Sequence, residues 1–185
     1  MATEKLKFKL ELYATMWDRP PHVEILINDH NGIYGRMFKK DITGTEDKPD
    51  IVEFEYEMTE GQEYNLLIKR SGKQGKSKLA NPDTDNGVLW PEQIEYQTVT
   101  DEDGNIIKDQ VLHLKSIEID EITIGSLVYE GVYTPKYPEP WATLQRESGV
   151  ELPESFKNVT ELGHEGQWKF TFGSPFYMWL LENLY

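Results

Sequence analysis

The sequence predicts an all-β protein, an antiparallel sandwich or barrel. Apolar residues recur with a period of two along most of the chain, and polar turn signals separate the short segments they form. No long amphipathic helical pattern occurs before Phe176.

Leu6, Phe8, Leu10 and Leu12 alternate with Lys5, Lys7, Lys9 and Glu11, the pattern of a strand with one wet face. Val23, Ile25 and Ile27 repeat the alternation, and the Asp29–Gly32 segment is a turn signal. Val52, Phe54 and Tyr56 alternate with Glu53, Glu55 and Glu57, and Tyr64–Lys69 is a short apolar run suited to a buried strand. Leu112, Leu114, Ile117, Ile119, Ile122 and Ile124 form the densest strand region. Their parity slips after Leu114, which predicts a bulge near Lys115–Ser116. Trp168, Phe170 and Phe172 mark a further strand. Asn86–Gly87 and Asp103–Gly104 are turn signals between these pieces.

The composition changes near Tyr133. Residues 133–185 hold 11 of the 22 aromatic residues and five of the ten prolines, which divides the chain into a sandwich at 1–132 and a Pro/aromatic extension at 133–185. Thr134–Trp141 (TPKYPEPW) is expected to run extended, because each proline lacks an N–H and biases its predecessor away from helix. Phe176–Tyr185 is either a turn or two of helix or a final strand. An end this apolar is costly to leave in water, so it should pack on the sandwich or on a partner.

A length of 185 residues suits about one domain. With 19 Lys+Arg against 33 Asp+Glu, the formal charge is −14, the wrong sign for a general nucleic-acid binder. The longest strongly apolar run, Phe176–Leu181, is too short for a membrane span, and the alternating N-terminus is unlike a secretory signal. Cysteine is absent, which excludes disulfides, thiolate metal sites and a Cys nucleophile.

Three groups of residues invite a functional reading. Lys69, Arg70, Lys73, Lys76 and Lys78 concentrate positive charge in an acidic chain and are expected to dock an acidic neighbour. The Arg70–Ser77 loop has the Gly-Lys-Ser of a phosphate-binding loop, but it has Arg70 where that motif needs glycine, and no helix start follows. Asp83, Asp85 and Asp109, with Asp101 and Asp103 nearby, are hard oxygen ligands at loop spacing and are candidates for calcium; the competing reading of Asp101–Asn105 is a hairpin turn. Trp17 and Trp90 are candidates for stacking on a glycan, against the alternative that they anchor loops on the sandwich, and Trp141 and Trp179 of the aromatic extension are candidates for binding a ligand or partner. The four histidines are dispersed, no Gly-x-Ser-x-Gly elbow occurs, and no carboxylate pair stands out, so no catalytic residue is assigned and the chain is expected not to be an enzyme.

From Glu60 the chain reads EGQEYNLLIKR, then a long polar loop, then KDQVLHLKSIEIDEITIG. This resembles the second half of small jelly-roll carbohydrate-binding modules of the calcium-dependent, xylan-binding kind, with Val23–Gly32 similar to their preceding strand and turn. The resemblance implies a jelly-roll β-sandwich. It also implies calcium-binding and glycan-binding roles, with Asp109 in the position of a calcium-binding Asp and Asp120 as the Asp of the closing strand pair. Arg70-Ser71-Gly72-Lys73 stands where the family places an Asn/Asp-rich calcium loop. The tail, YPEPW followed by LGHEGQWKFTFGSPFYMWLLENL, lies outside such modules and resembles proteins of marine tailed phages. That second resemblance implies a non-enzymatic virion protein, made in host cytoplasm, decorating the capsid or associated with the tail. Its partners would be other capsid or tail subunits or a second copy of the chain. The alternative is a calcium-dependent carbohydrate-binding module for host-surface glycans.

Overall fold

The protein is an antiparallel β-sandwich whose two sheets both draw on the N-terminal and C-terminal halves of the chain. The computed structural model describes residues 2–29, 34–76, 94–103, 105–138 and 141–183. The strands are β1 (Thr3–Thr15), β2 (His22–Asp29), β3 (Tyr34–Asp41), β4 (Asp50–Thr59), β5 (Glu63–Ser71), β6 (Gln74–Lys76), β7 (Ile94–Tyr96), β8 (Val99–Thr100), β9 (Ile106–Lys108), β10 (Val111–Ile119), β11 (Ile122–Thr123), β12 (Val132–Pro135), β13 (Glu161–Leu162) and β14 (Gly166–Gly173). Two short helices, α1 (Trp141–Glu147) and α2 (Phe176–Asn183), lie in the C-terminal third. Among the described residues, no helix is long and apolar enough to cross a membrane.

The first sheet runs β11-β10-β1-β4, with β13 also paired to β10, and the second runs β12-β14-β5-β2-β3. Period-two patterning decides what faces inward. Leu6, Phe8, Leu10 and Leu12 of β1 are buried against Val23, Ile25, Ile27, Leu66 and Ile68 of the second sheet, while the intervening lysines face water. Aromatic rings fill the space between sheets: Phe8 lies 5.0 Å from Phe54 and 5.9 Å from Phe172, centre to centre.

The expected bulge is present. Glu11 pairs with Ser116 and the next residue, Leu12, pairs with Leu114, so Lys115 is the extra residue. By absorbing one position it lets Leu112 and Leu114 share the inner face with Ile117 and Ile119.

The division at 132/133 does not follow the sheets. The boundary falls inside β12, and β14 is an inner strand that pairs with β12 on one side and with β5 over eight residues on the other. β5 needs a neighbour for the main-chain groups that β2 leaves unpaired, and β14 supplies it with Trp168, Phe170 and Phe172 buried beneath. Gly131 is obligatory for this packing, because a Cβ there would come within 2.3 Å of three atoms of the Trp168 indole. The tail is therefore part of the core, whereas composition alone set it apart.

Helix α2 closes one side. The Glu4 carboxylate accepts the Phe176 N–H at 3.0 Å and the Ser174 hydroxyl at 2.8 Å, fixing the helix start to β1. Phe176 and Leu180 are buried, while Met178 and Leu181 are 61% and 63% exposed.

Candidate functional site

The densest polar chemistry lies where β5 passes into β6 and the Trp17–Arg19 loop meets residues 97–98, 109–110 and 162–164. Strands end here, so main-chain carbonyls are left without ladder partners inside the protein. Each must find a donor or pay the cost of desolvation. Arg70 and Lys73, only 1% and 2% exposed, provide those donors. The Arg70 guanidinium donates to the Leu162 carbonyl at 3.2 Å, the Gln110 carbonyl at 2.9 Å and Gln110 Oε1 at 2.7 Å. Gln110 Nε2 in turn donates to the carbonyls of Arg19 (2.8 Å) and Gly72 (3.1 Å). Arg19 bonds the Gly72 and Lys73 carbonyls, and Gln97 Nε2 reaches Asp18 at 3.1 Å.

Lys73 Nζ donates to Asp109 Oδ1 at 2.9 Å and to the Gly163 carbonyl. The same Asp109 oxygen accepts the Thr98 hydroxyl (2.6 Å) and the Gln110 N–H (2.8 Å). Burial pushes the Lys73 ammonium below its usual range, and Asp109 offsets part of this. Burial also pushes the Asp109 carboxyl up, but the Thr98 hydroxyl and the Lys73 ammonium outweigh it and hold the group below its ordinary value.

His164 sits beside this pair. Its backbone N–H donates to the Tyr133 hydroxyl, which itself donates to the His164 carbonyl. Burial, followed by the positive charges of Lys73 and Arg70, lowers the imidazole pKa to about 4, and burial raises the Tyr133 phenol to about 12. In the unfolded chain the imidazole takes its proton near its ordinary 6.5, whereas the folded chain resists until about 4. The unfolded state therefore binds more protons across that window, and stability falls as pH drops from 6.5 toward 4. His164→Phe should flatten the slope over this window, read as the urea midpoint at pH 7 against pH 4.5. An unchanged slope would remove His164 from the network.

These contacts change the roles expected of several residues. Arg70 and Lys73 are not a docking surface, because both are buried and spent on internal carbonyls and Asp109. Lys69 is exposed on the outer face of β5, opposite Glu24 and Gln167 in register. Lys76 lies in β6 and pairs with Ile94; extended backbone therefore follows Gly75, where a phosphate-binding loop would open a helix. Asp109 Oδ1 is engaged by the Lys73 ammonium, the Thr98 hydroxyl and the Gln110 N–H, an internal role that the calcium reading did not foresee. Among the described residues, no group of three or more His, Asp or Glu side chains is placed to hold a metal. Asp101 Oδ1 accepts the N–H groups of Asp103 (3.0 Å) and Asn105 (2.8 Å), capping the β8–β9 hairpin. Asp83, Asp85, Lys78 and Trp90 lie outside the described residues.

The tryptophans divide. Trp17 donates its indole N–H to the Gln97 carbonyl at 2.9 Å, and Lys108 Nζ lies 5.0 Å from its ring centre. Trp141 opens α1 with 40% of its surface exposed, next to Tyr137 and His164. Its partly open ring keeps the stacking surface that a sugar or a protein partner could use. Trp179 instead anchors α2, edge-on to Phe170 and stacked on Phe176. Sequence reasoning missed Gln97, Gln110, Tyr133 and His164 as network members, because their partners are brought together only by the folded sheets. The exposed pair Met178 and Leu181 was visible only as part of a uniformly apolar end.

No protein-family model, no curated protein and no solved structure matches the chain.

Proposed function

We propose that the protein is a non-enzymatic structural component of a tailed-phage particle, mounted on neighbouring capsid or tail subunits through α2. The observation that carries the docking role is the exposed apolar face of that helix. Met178 and Leu181 project from an element whose opposite side is fixed by Phe176, Trp179 and Leu180. Tyr177 extends the face, and its hydroxyl donates to Asp120 at 2.7 Å, so the helix is held firmly and its apolar side is preorganised. Exposed apolar residues grouped on a rigid element are characteristic of interaction surfaces.

The non-enzymatic reading is supported by the state of the buried polar groups at the strand ends: Lys73 and Asp109 are engaged with each other, Lys73 also with the Gly163 carbonyl, and Arg70 holds the Leu162 and Gln110 carbonyls. The phage assignment rests on the resemblance of residues 133–185 to tailed-phage proteins. The net charge of −14 then belongs to the solvated exterior. The test is the presence of the chain in purified particles at a fixed copy number. Its absence from washed particles would end this reading.

A further inference from the structure

The free edge of the first sheet has a definite chemical pattern. β4 pairs with β1 over ten consecutive residues without a break, and among the described residues no strand pairs with its other side. The Glu60 N–H donates to the Ala2 carbonyl, so this end pair is hydrogen-bonded, and antiparallel pairing makes every second pair so. Val52, Phe54, Tyr56 and Met58 thus bond β1. The main-chain N–H and C=O groups of Ile51, Glu53, Glu55 and Glu57 point off the sheet. Thr59, next in that series, turns its N–H to the Tyr64 hydroxyl at 2.8 Å, which agrees with this phase.

The side chains say what would fit. On the outer face, Lys5, Lys7 and Lys9 of β1 stand opposite Glu57, Glu55 and Glu53 of β4, and Lys9 also stands opposite Glu118 of β10. The β1 column of lysines thus faces a β4 column of glutamates, and at Lys9 the row from β10 to β4 reads acidic, basic, acidic; a basic column beyond β4 continues the alternation. On the inner face, Val52 and Met58 are buried, but Phe54 and Tyr56 are only half-buried at the rim. Apolar side chains on an added strand would cover them. A second copy's β4 is a poor occupant, since antiparallel pairing would set these glutamates against one another.

We propose that the β4 edge from Ile51 to Glu57 is a docking site for an extended segment of another protein. That segment alternates Lys or Arg with apolar residues and joins the sheet as a strand beyond β4. The site is separate from α2 and does not depend on the particle assignment.

The probe is a capped Lys-Leu-Lys-Phe-Lys-Leu peptide, the pattern of the chain's own Lys5–Leu10, with a control carrying Glu for each Lys. The basic peptide should bind, more weakly as salt rises, and at saturation should slow amide exchange at Ile51, Glu53, Glu55 and Glu57. Glu53→Lys with Glu55→Lys should weaken binding by about tenfold or more. Glu55→Pro removes one outward N–H without removing a bond to β1, and should also weaken it. If the proline variant fails to fold, the charge reversal and the exchange map decide the matter. No binding, equal binding of the Glu control, protection absent from β4, or self-association through β4 would each overturn the proposal.

Discussion

A chain that stops at Val132 is expected not to fold. It loses β14, and with it the eight-residue pairing that completes β5, together with Tyr133, Trp168, Phe170, Phe172, Phe176 and Leu180 from the core. Truncating a single buried aromatic to Ala costs about 3–5 kcal/mol, against a total stability of about 5–15 kcal/mol for a whole domain. Removing several such groups exceeds any margin the remaining strands could hold. The expected result is a 1–132 chain with no cooperative thermal or urea transition and no ordered near-UV signal. A cooperative melt from that chain would show that the first 132 residues are a domain after all. For the same reason, truncation cannot serve to test docking by the tail; point substitutions on the exposed face of α2 must do so.

Asp109→Ala should lower stability by roughly 3–5 kcal/mol, because it removes the carboxylate that the buried Lys73 ammonium bonds at 2.9 Å. At about 2–4 °C per kcal/mol for a chain of this size, the melting temperature should fall by roughly 6–20 °C. Lys73→Met should cost less, since Asp109 keeps the Thr98 hydroxyl and the Gln110 N–H and remains partly solvated. The double variant should lie close to Lys73→Met alone, the non-additivity expected of a coupled pair. Because the folded-state pKa of Asp109 lies below its ordinary value, its contribution is present above the unfolded pKa and is lost as pH falls through the folded one. Calcium should leave the destabilisation unchanged. A melting temperature that calcium raises in the parent chain but not in Asp109→Ala would restore the calcium reading of this residue.

Much of the fold could be read from the chain because its determinants are local. The alternation at Leu6–Leu12 and the parity slip at Lys115 each follow from neighbouring residues, and each led to the correct strand or bulge. What was not legible depended on distance along the chain. Trp168, Phe170 and Phe172 announced a strand, yet nothing near them says that its neighbour is β5, about a hundred residues earlier. Composition therefore grouped them with the prolines as an extension. Within the charge cluster at Lys69–Lys78, Arg70 and Lys73 misled in the same way. A run of cations ordinarily reads as a solvated face. Here the inward parity of Arg70, two residues past Ile68, places a guanidinium among strand-end carbonyls that only the assembled sheets expose to it.

The docking role of α2 is tested most directly by Met178→Gln with Leu181→Gln, which keeps good helix formers while removing the apolar face. Both side chains are exposed, so the melting temperature should stay within about 2 °C of the parent. Particles assembled with the variant should carry far fewer copies of the protein than particles assembled with the parent, counted by quantitative mass spectrometry. Equal copy numbers, with the variant folded, would contradict the account.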